Sequence, residues 1–321
     1  MRTYEIIIKP QSAFGTPLKG DTLFGQFCWQ VIYNPSLFNK TLKDLLKNYN
    51  ENPFIVISSA YPKNDKGYIL KRPELPSFLL RDLSSLGKKE ISIKKKELKN
   101  KRWMLVSKDK PIKSFKNIEY LSSEYIKEYI KEYLQTHNKI NRITNKTEGE
   151  KFAPFSVSQE VYHEEIELVI FVGIDETVIT IEQVKESFIK IGEFGFGKDS
   201  STGLGKFKVL QISEIELSAL GSSESNACYT LSPCVPEKNI YSKMFFTPFI
   251  RFGKHGDILA KSKNPFKNPV IMADESAVFV PKNKDIINRK FVGTAIYNLS
   301  KSQPETVSQG YSLIIPVKLE E

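Results

Sequence analysis

Apolar and polar positions along this chain change period several times, and each change marks an element. Thr3–Lys9 (TYEIIIK) sets an isoleucine run between polar ends and predicts a first strand. A loop punctuated by Gly15, Pro17 and Gly20 follows, and Asp21 is a candidate N-cap for a helix over DTLFGQFCWQVIYN. Within it Leu23, Phe24, Phe27, Cys28, Val31 and Ile32 make one apolar stripe. A short helix (TLKDLLKNY) and a β-rich strand (PFIVISSA) come next. Much later, EEIELVIFVGID predicts a buried strand, TIEQVKESFIKI a helix and KFKVLQISEIEL a strand.

Residues 61–151 interrupt this rhythm and predict a long insertion. It holds Pro62, Pro73 and Pro76, a basic block, and IEYLSSEYIKEYIKEYLQ. In that segment Ile118, Leu121, Tyr125, Ile126, Tyr129, Ile130, Tyr133 and Leu134 fall on one helical face with Glu and Lys opposite, which predicts a surface helix docked on one side. HNKINRITNKTEGEKFAPFS has loop composition. With the insertion set aside, residues 1–218 run β-α-β-[insert]-β-α-β, the order of a ferredoxin-like or RRM-like fold. Such a sheet is often used on single-stranded RNA. LGSSESNA reads as a linker, and 219–321 predicts a smaller, strand-dominated domain: FFTPFIRFG, VIMADESAVFVP, KFVGTAIYN and GYSLIIPVKL are β-rich and no long helix stands out. The expected class is α+β.

Charge sharpens the picture. The net charge is +10, which points to a polyanionic partner. Residues 88–116 alone carry twelve Lys/Arg against three acids, a candidate surface for target or non-specific nucleic acid. Trp103–Val106 inside that block predict that part of it packs. Three cysteines without metal or redox spacing predict a reduced, cytoplasmic protein without structural zinc. No signal-peptide core or bilayer-length apolar run is present, so no membrane partner is expected.

The chemistry concentrates in GEFGFGKDSSTGLGKF, residues 192–207, with five glycines in sixteen residues. Successive amides in such a loop can form an anion-binding nest. The Gly192-x-x-x-x-Gly197-Lys198 spacing falls short of a nucleotide phosphate loop, because Asp199 replaces the Mg²⁺-binding hydroxyl. The order is also inverted, closing a helix and opening a strand. A dinucleotide G-x-G-x-x-G fails at Ser200. Two readings remain, a flexible loop at a sheet edge without a ligand and a nucleic-acid backbone clamp with Phe194, Phe196, Phe152 and Phe155 as candidate base platforms, and the basic charge elsewhere favours the clamp. No paired carboxylates or HExxH spacing support metal hydrolysis, and no cofactor is expected. His137, near Lys139 and Arg142, and His255, beside Lys254 and Asp257, are the candidate general bases; His163 alternates within a strand.

FGTPLKGDTLFGQFCW, GEFGFGKDSSTGLGKF and QGYSLIIPV together resemble the RAMP superfamily of CRISPR effector proteins. More closely they resemble the subunit family that caps the crRNA-bearing end of type III-A (Csm) complexes, the fourth Csm protein. The resemblance covers nearly the whole chain, CYTLSPCVP included. It implies two ferredoxin-like (RRM-like) modules, the second degenerate, and holding of the crRNA 5′ handle. It also implies contacts to the large polymerase-like signature subunit and to the adjacent RAMP backbone subunit. The family's RNA-binding loop falls on Gly192–Gly205, and Thr16–Trp29 would face RNA or the large subunit. HNKINRIT with FAPFS resembles the lead into a protruding thumb hairpin, placing Lys139 and Arg142 near crRNA phosphates. The expected RNA-binding set is therefore Lys19, Lys139, Arg142, Phe194, Gly195, Phe196, Gly197, Lys198, Ser200, Ser201, Gly203, Gly205, Arg251 and Lys254. The main expectation is a non-catalytic crRNA-binding and scaffolding subunit. The alternative is a RAMP-type endoribonuclease that processes precursor CRISPR RNA with His137 or His255.

Overall fold

The computed structural model describes residues 1–82, 87–147, 150 and 152–320. The chain begins with β1 (Arg2–Pro10), α1 (Gly20–Tyr33), α2 (Leu42–Leu46) and β2 (Ile55–Asn64). Helix α1 starts one residue before Asp21, with Lys19 at the N-cap position. Asp21 is thus not the cap; it is buried in the first turn, where Arg251 claims its carboxylate. Thr41 closes a capping box with Asp44 at α2.

The segment after β2 contains β3 (Gly67–Lys71), α3 (Ser77–Leu80), α4 (Lys88–Asn100), β4 (Trp103–Val106), β5 (Tyr120–Leu121) and α5 (Ser123–Lys127). Then come β6 (Ile130–His137), β7 (Phe155–Tyr162), β8 (Glu167–Ile174), α6 (Ile181–Phe194) and β9 (Phe207–Glu214). A seven-stranded sheet has the order β5-β4-β3-β2-β8-β1-β9. Its β2-β8-β1-β9 part is antiparallel throughout, with α1 following β1 and α6 following β8. The insertion is therefore not a separate body. Residue 61 lies inside β2, and β3, β4 and β5 extend the same sheet. Met104, Leu105 and Val106 are buried in it, so the packing expected of Trp103–Val106 is present.

The expected helix over 118–135 is the main departure. Its middle is the five-residue α5, capped by Ser122, and from Ile130 the chain is strand. β6 pairs with β7 over eight residues, Ile130 with Tyr162 through to His137 with Phe155. The Ile and Tyr that look helical at four-residue spacing also suit a pleated surface, and a partner about twenty-five residues away decides between the two. Residues 148, 149 and 151 of the expected loop lie outside the described residues.

The C-terminal part holds β10 (Ala227–Thr230), β11 (Tyr241–Phe245), β12 (Pro248–Arg251), β13 (Val270–Ala273), β14 (Val278–Pro281), β15 (Phe291–Gly293) and β16 (Tyr311–Val317). Five form an antiparallel sheet, β11-β14-β10-β16-β15, while β12 and β13 pair as a separate ribbon. One apolar core runs through both parts, joining Ile6, Phe24 and Phe171 to Tyr229, Leu313 and Ile315. A bulge in β2 at Ser58–Ser59 makes this docking specific. The buried Gln309 amide donates to the Ile57 carbonyl (2.7 Å) and accepts from the Ile57 N–H (2.8 Å). The Ser59 N–H donates to the Leu231 carbonyl at 2.9 Å. Backbone groups that a bulge would orphan are satisfied by residues flanking the strands of the C-terminal sheet.

Candidate nucleic-acid interface

Helix α6 is apolar along Val184, Phe188 and Ile191 and ends where Gly195 takes φ +95°. That turn reverses what helical periodicity predicts for the next residues. Phe194 is left exposed, while Phe196 enters the core with no exposed surface. Burial of a phenylalanine is worth roughly 1.5–3 kcal/mol, so Phe196 anchors the loop and is not a base platform. Its N–H donates to the Gly205 carbonyl (2.9 Å), closing residues 197–204 into a compact lobe.

The lobe rests on the loop between β1 and α1. The Gly205 N–H donates to the Ala13 carbonyl (2.8 Å), and the Gln11 N–H to the Lys206 carbonyl (2.8 Å). Ser12 Oγ accepts from the Lys206 N–H and Thr16 Oγ1 from the Lys198 N–H, both at 2.9 Å. Gly197, at φ +78°, sits so close that an added Cβ would fall 2.6 Å from Thr16 Cβ. Two segments singled out in the sequence, 14–29 and 192–207, are thereby brought together, and Gln309 of the third holds the neighbouring β2 bulge.

At the lobe's outer end Asp199 is left-handed (φ 61°, ψ 23°) and opens a 3₁₀ turn over Ser200–Thr202. Among the described residues no acceptor meets the N–H groups of Asp199, Ser200 and Ser201. A left-handed residue followed by a right-handed turn aims successive amides into one concavity, which is an anion nest. Lys198 precedes it and is exposed, and Lys206 and Lys208 are exposed where the chain leaves the lobe along β9. Lys208 lies directly opposite Lys9 across the β1–β9 ladder, and neither has a carboxylate partner among the described residues. Like charges facing across a ladder are unfavourable unless an anion lies between them. Sequence reading missed this pair. Alternation in Lys206-Phe207-Lys208 was a visible signal, but only register brings in Lys9.

The β6–β7 hairpin stands beside this edge. Phe14 forms an isolated bridge with Glu160 and packs edge-on against Tyr162 at 5.4 Å. At its far end His137 stacks on Phe155 (5.5 Å), and Lys139 Nζ lies 5.3 Å from the same ring. Lys139 and Arg142 are exposed in the tip, which turns at Asn145 (φ 55°). Phe155 is partly exposed; Phe152 is half-buried.

Three residues of the expected set are placed differently. Lys19 Nζ is ion-paired to Asp274 and, at 2.6 Å, to Glu275, and lies 4.4 Å over the Phe249 ring. Arg251 grips Asp21 with two nitrogens, one at 2.8 Å. Both cations are thus neutralised internally by acids more than two hundred residues away in sequence. Glu275 is buried and also pairs with Lys71. Burial alone would raise its carboxyl, but Lys71 and Lys19 outweigh that and hold it well below the ordinary carboxylate range. Lys254 is exposed beyond β12, over the Phe266 ring at 5.7 Å. His255 is buried with Nε2 2.7 Å from Ser300 Oγ, and burial, helped by Lys267, lowers its pKa. No group of three or more His, Cys, Asp or Glu among the described residues could hold a metal ion. No helix among them is long and apolar enough to cross a membrane.

No protein-family model matches the chain, and no curated protein matches it. Solved structures do. A chain of the Csm1–Csm4 cassette in complex with cA4 superposes with a TM-score of 0.61 at 14% identity, covering 99% of both chains. The cassette in complex with pppApA gives 0.59 at 15%, again over 99% of both. A chain of the Csm3–Csm4 subcomplex of the type III-A CRISPR–Cas interference complex gives 0.57 at 16%, over 98% of this chain and 99% of that one. Csm4 is the component those assemblies share, and its fold is the one this chain carries over nearly its entire length.

Proposed function

We propose that this chain is a non-catalytic crRNA-binding subunit of a type III-A CRISPR interference complex. It clamps the crRNA 5′ handle and bridges the large signature subunit to the RAMP backbone. The β2-β8-β1-β9 sheet with α1 and α6 is then a ferredoxin-like module over residues 1–218. Residues 219–321 form a degenerate, strand-dominated second module sharing its core. The observation that carries the reading is the lobe's open nest next to Lys198, with exposed Lys206 and the facing pair Lys9 and Lys208 along the strand that leaves the lobe. Phosphates of a single strand would sit on the nest and between the lysines. Phe194 offers an exposed ring at the same edge, and Lys139 and Arg142 at the hairpin tip reach phosphates farther along. Fluorescence anisotropy with a handle-bearing RNA and a scrambled RNA tests this. The Lys198→Glu/Lys208→Glu variant should bind the handle at least tenfold more weakly with an unchanged melting temperature; equal affinity sinks the assignment. Incubation with repeat RNA tests the non-catalytic part, since single-site cleavage abolished by His137→Ala or His255→Ala would overturn it.

A further inference from the structure

The β12–β13 ribbon is two-faced in an unusual sense. Phe249 and Met272 face one another across it and point inward: Met272 is buried, and Phe249 lies beneath Lys19 and Arg251 at 4.4 and 4.7 Å. The next pair, Ile250 and Ile271, points outward with 50% and 70% of its surface exposed. The same alternation continues past the strand. Phe252 is 73% exposed, while Lys254 sits opposite Phe266, itself 67% exposed. His255, of inward parity, is buried against Ser300. Ion pairs of Lys19 and Arg251 fix the inner face, so the outer one is an apolar surface on a rigid seat. Contiguous exposed apolar side chains of this size mark an interaction site.

Its rim is basic. Lys254, Lys261 and Lys263 are exposed without a carboxylate partner among the described residues. The sequence from Phe252 to Ala273 contains one acid, Asp257. At the centre stand the paired isoleucines Ile250 and Ile271, with Phe252 and Phe266 beyond them, so the middle of the face is aliphatic and suits apolar side chains better than a stacked base.

We infer that the outer face of this ribbon docks a folded protein with an apolar centre and an acidic rim. The inference deepens the scaffolding role proposed above and rests on it, but uses a surface separate from the RNA edge. The probes are the large signature subunit and the RAMP backbone subunit, each co-expressed with tagged full-length chain. Ile250→Asp/Ile271→Asp should cut retention of one of them at least tenfold, and Phe252→Ser should do so more weakly. Handle-RNA affinity and melting temperature of the isolated chain should stay unchanged. Lys254→Glu/Lys261→Glu/Lys263→Glu should weaken the same partner. Full retention of both partners by the double variant and by Phe252→Ser overturns the inference. So does a loss confined to RNA affinity, which would make the face a nucleic-acid surface, or a self-association that the double variant abolishes, which would make the occupant a second copy. Loss of handle binding by the lysine-edge variants with partner retention intact leaves this surface standing, so the two readings fail separately.

Discussion

At the seam between α1 and the β12–β13 ribbon, Lys19, Lys71 and Arg251 meet Glu275, Asp274 and Asp21. At the outer edge of the seven-stranded sheet, Lys9, Lys198, Lys206 and Lys208 meet no carboxylate among the described residues. The side chains are chemically alike, and the difference lies in the chain that folds back onto them. Residues 270–275 return to cover the first group, and nothing described covers the second. The net charge of +10 already counts these three acids, so the buried pairs cancel within it and the excess a polyanion would meet lies on the uncovered cations.

The sharpest way to break the comparison is to disturb the inner group. Glu275→Gln leaves Lys19 and Lys71 facing a neutral amide in a buried seam. Removing one partner of a buried pair costs roughly 3–5 kcal/mol, and the partial exposure of Lys71 puts the expectation near the lower value. Urea unfolding should show this loss, while folded protein keeps its handle affinity. A loss of RNA binding without a loss of stability would make the seam part of the interface.

Disturbing the outer group should do the opposite. Replacing Lys9, Lys198, Lys206 and Lys208 together by Gln should leave urea stability unchanged or slightly improved, since a repulsive cross-strand pair disappears. Handle affinity should fall, and the slope of log K against log salt should drop by about 0.7 for each single-strand phosphate that is no longer neutralised. An unchanged slope would show that these lysines touch no phosphate. Phe194→Ala is a smaller cut at the same edge: a stacked base is worth roughly 1–3 kcal/mol. The Phe196→Ala variant marks the contrast, because its ring is core and its loss should register as stability. Equal effects of the two on RNA affinity alone would erase the distinction between them.

The outer group was partly legible in the sequence and the inner group was not. Helix periodicity in 181–191, the glycines after it and the alternation of 206–208 lie within one stretch of chain, and the α6–lobe–β9 unit follows them closely. The β-α-β order on either side of the insertion was readable for the same reason. Contacts across long separations left no local mark. Lys19 with Glu275, Lys9 with Lys208 and Gln309 with Ile57 each depend on register or on the return of a distant strand. The β6 strand shows how this misleads: its residues satisfy a helical stripe until β7 supplies a ladder. Phe194 and Phe196 differ by one glycine whose positive φ exchanges their environments.

The smallest expected effect concerns His255, which shares the inner side of the ribbon with Arg251. Burial, with Lys267 nearby, lowers its pKa from the ordinary value, so the folded protein holds the neutral ring while the unfolded chain binds a proton more readily. Stability therefore rises with pH through the unfolded value of about 6.5 and is lost as pH falls below it. Glu275 adds a separate loss at lower pH, since below the ordinary value of about 4.5 the unfolded chain's carboxyl takes up a proton that the folded one, held down by Lys71 and Lys19, resists. His255→Asn should keep a partner for Ser300 yet flatten the stability curve between pH 7 and 5, measured by urea unfolding. His137 and His163 remain in both proteins, so the difference between the curves isolates His255. If the curves run parallel, protonation of His255 is not resisted by the fold, and the inner face of the ribbon is wetter than its ion pairs imply.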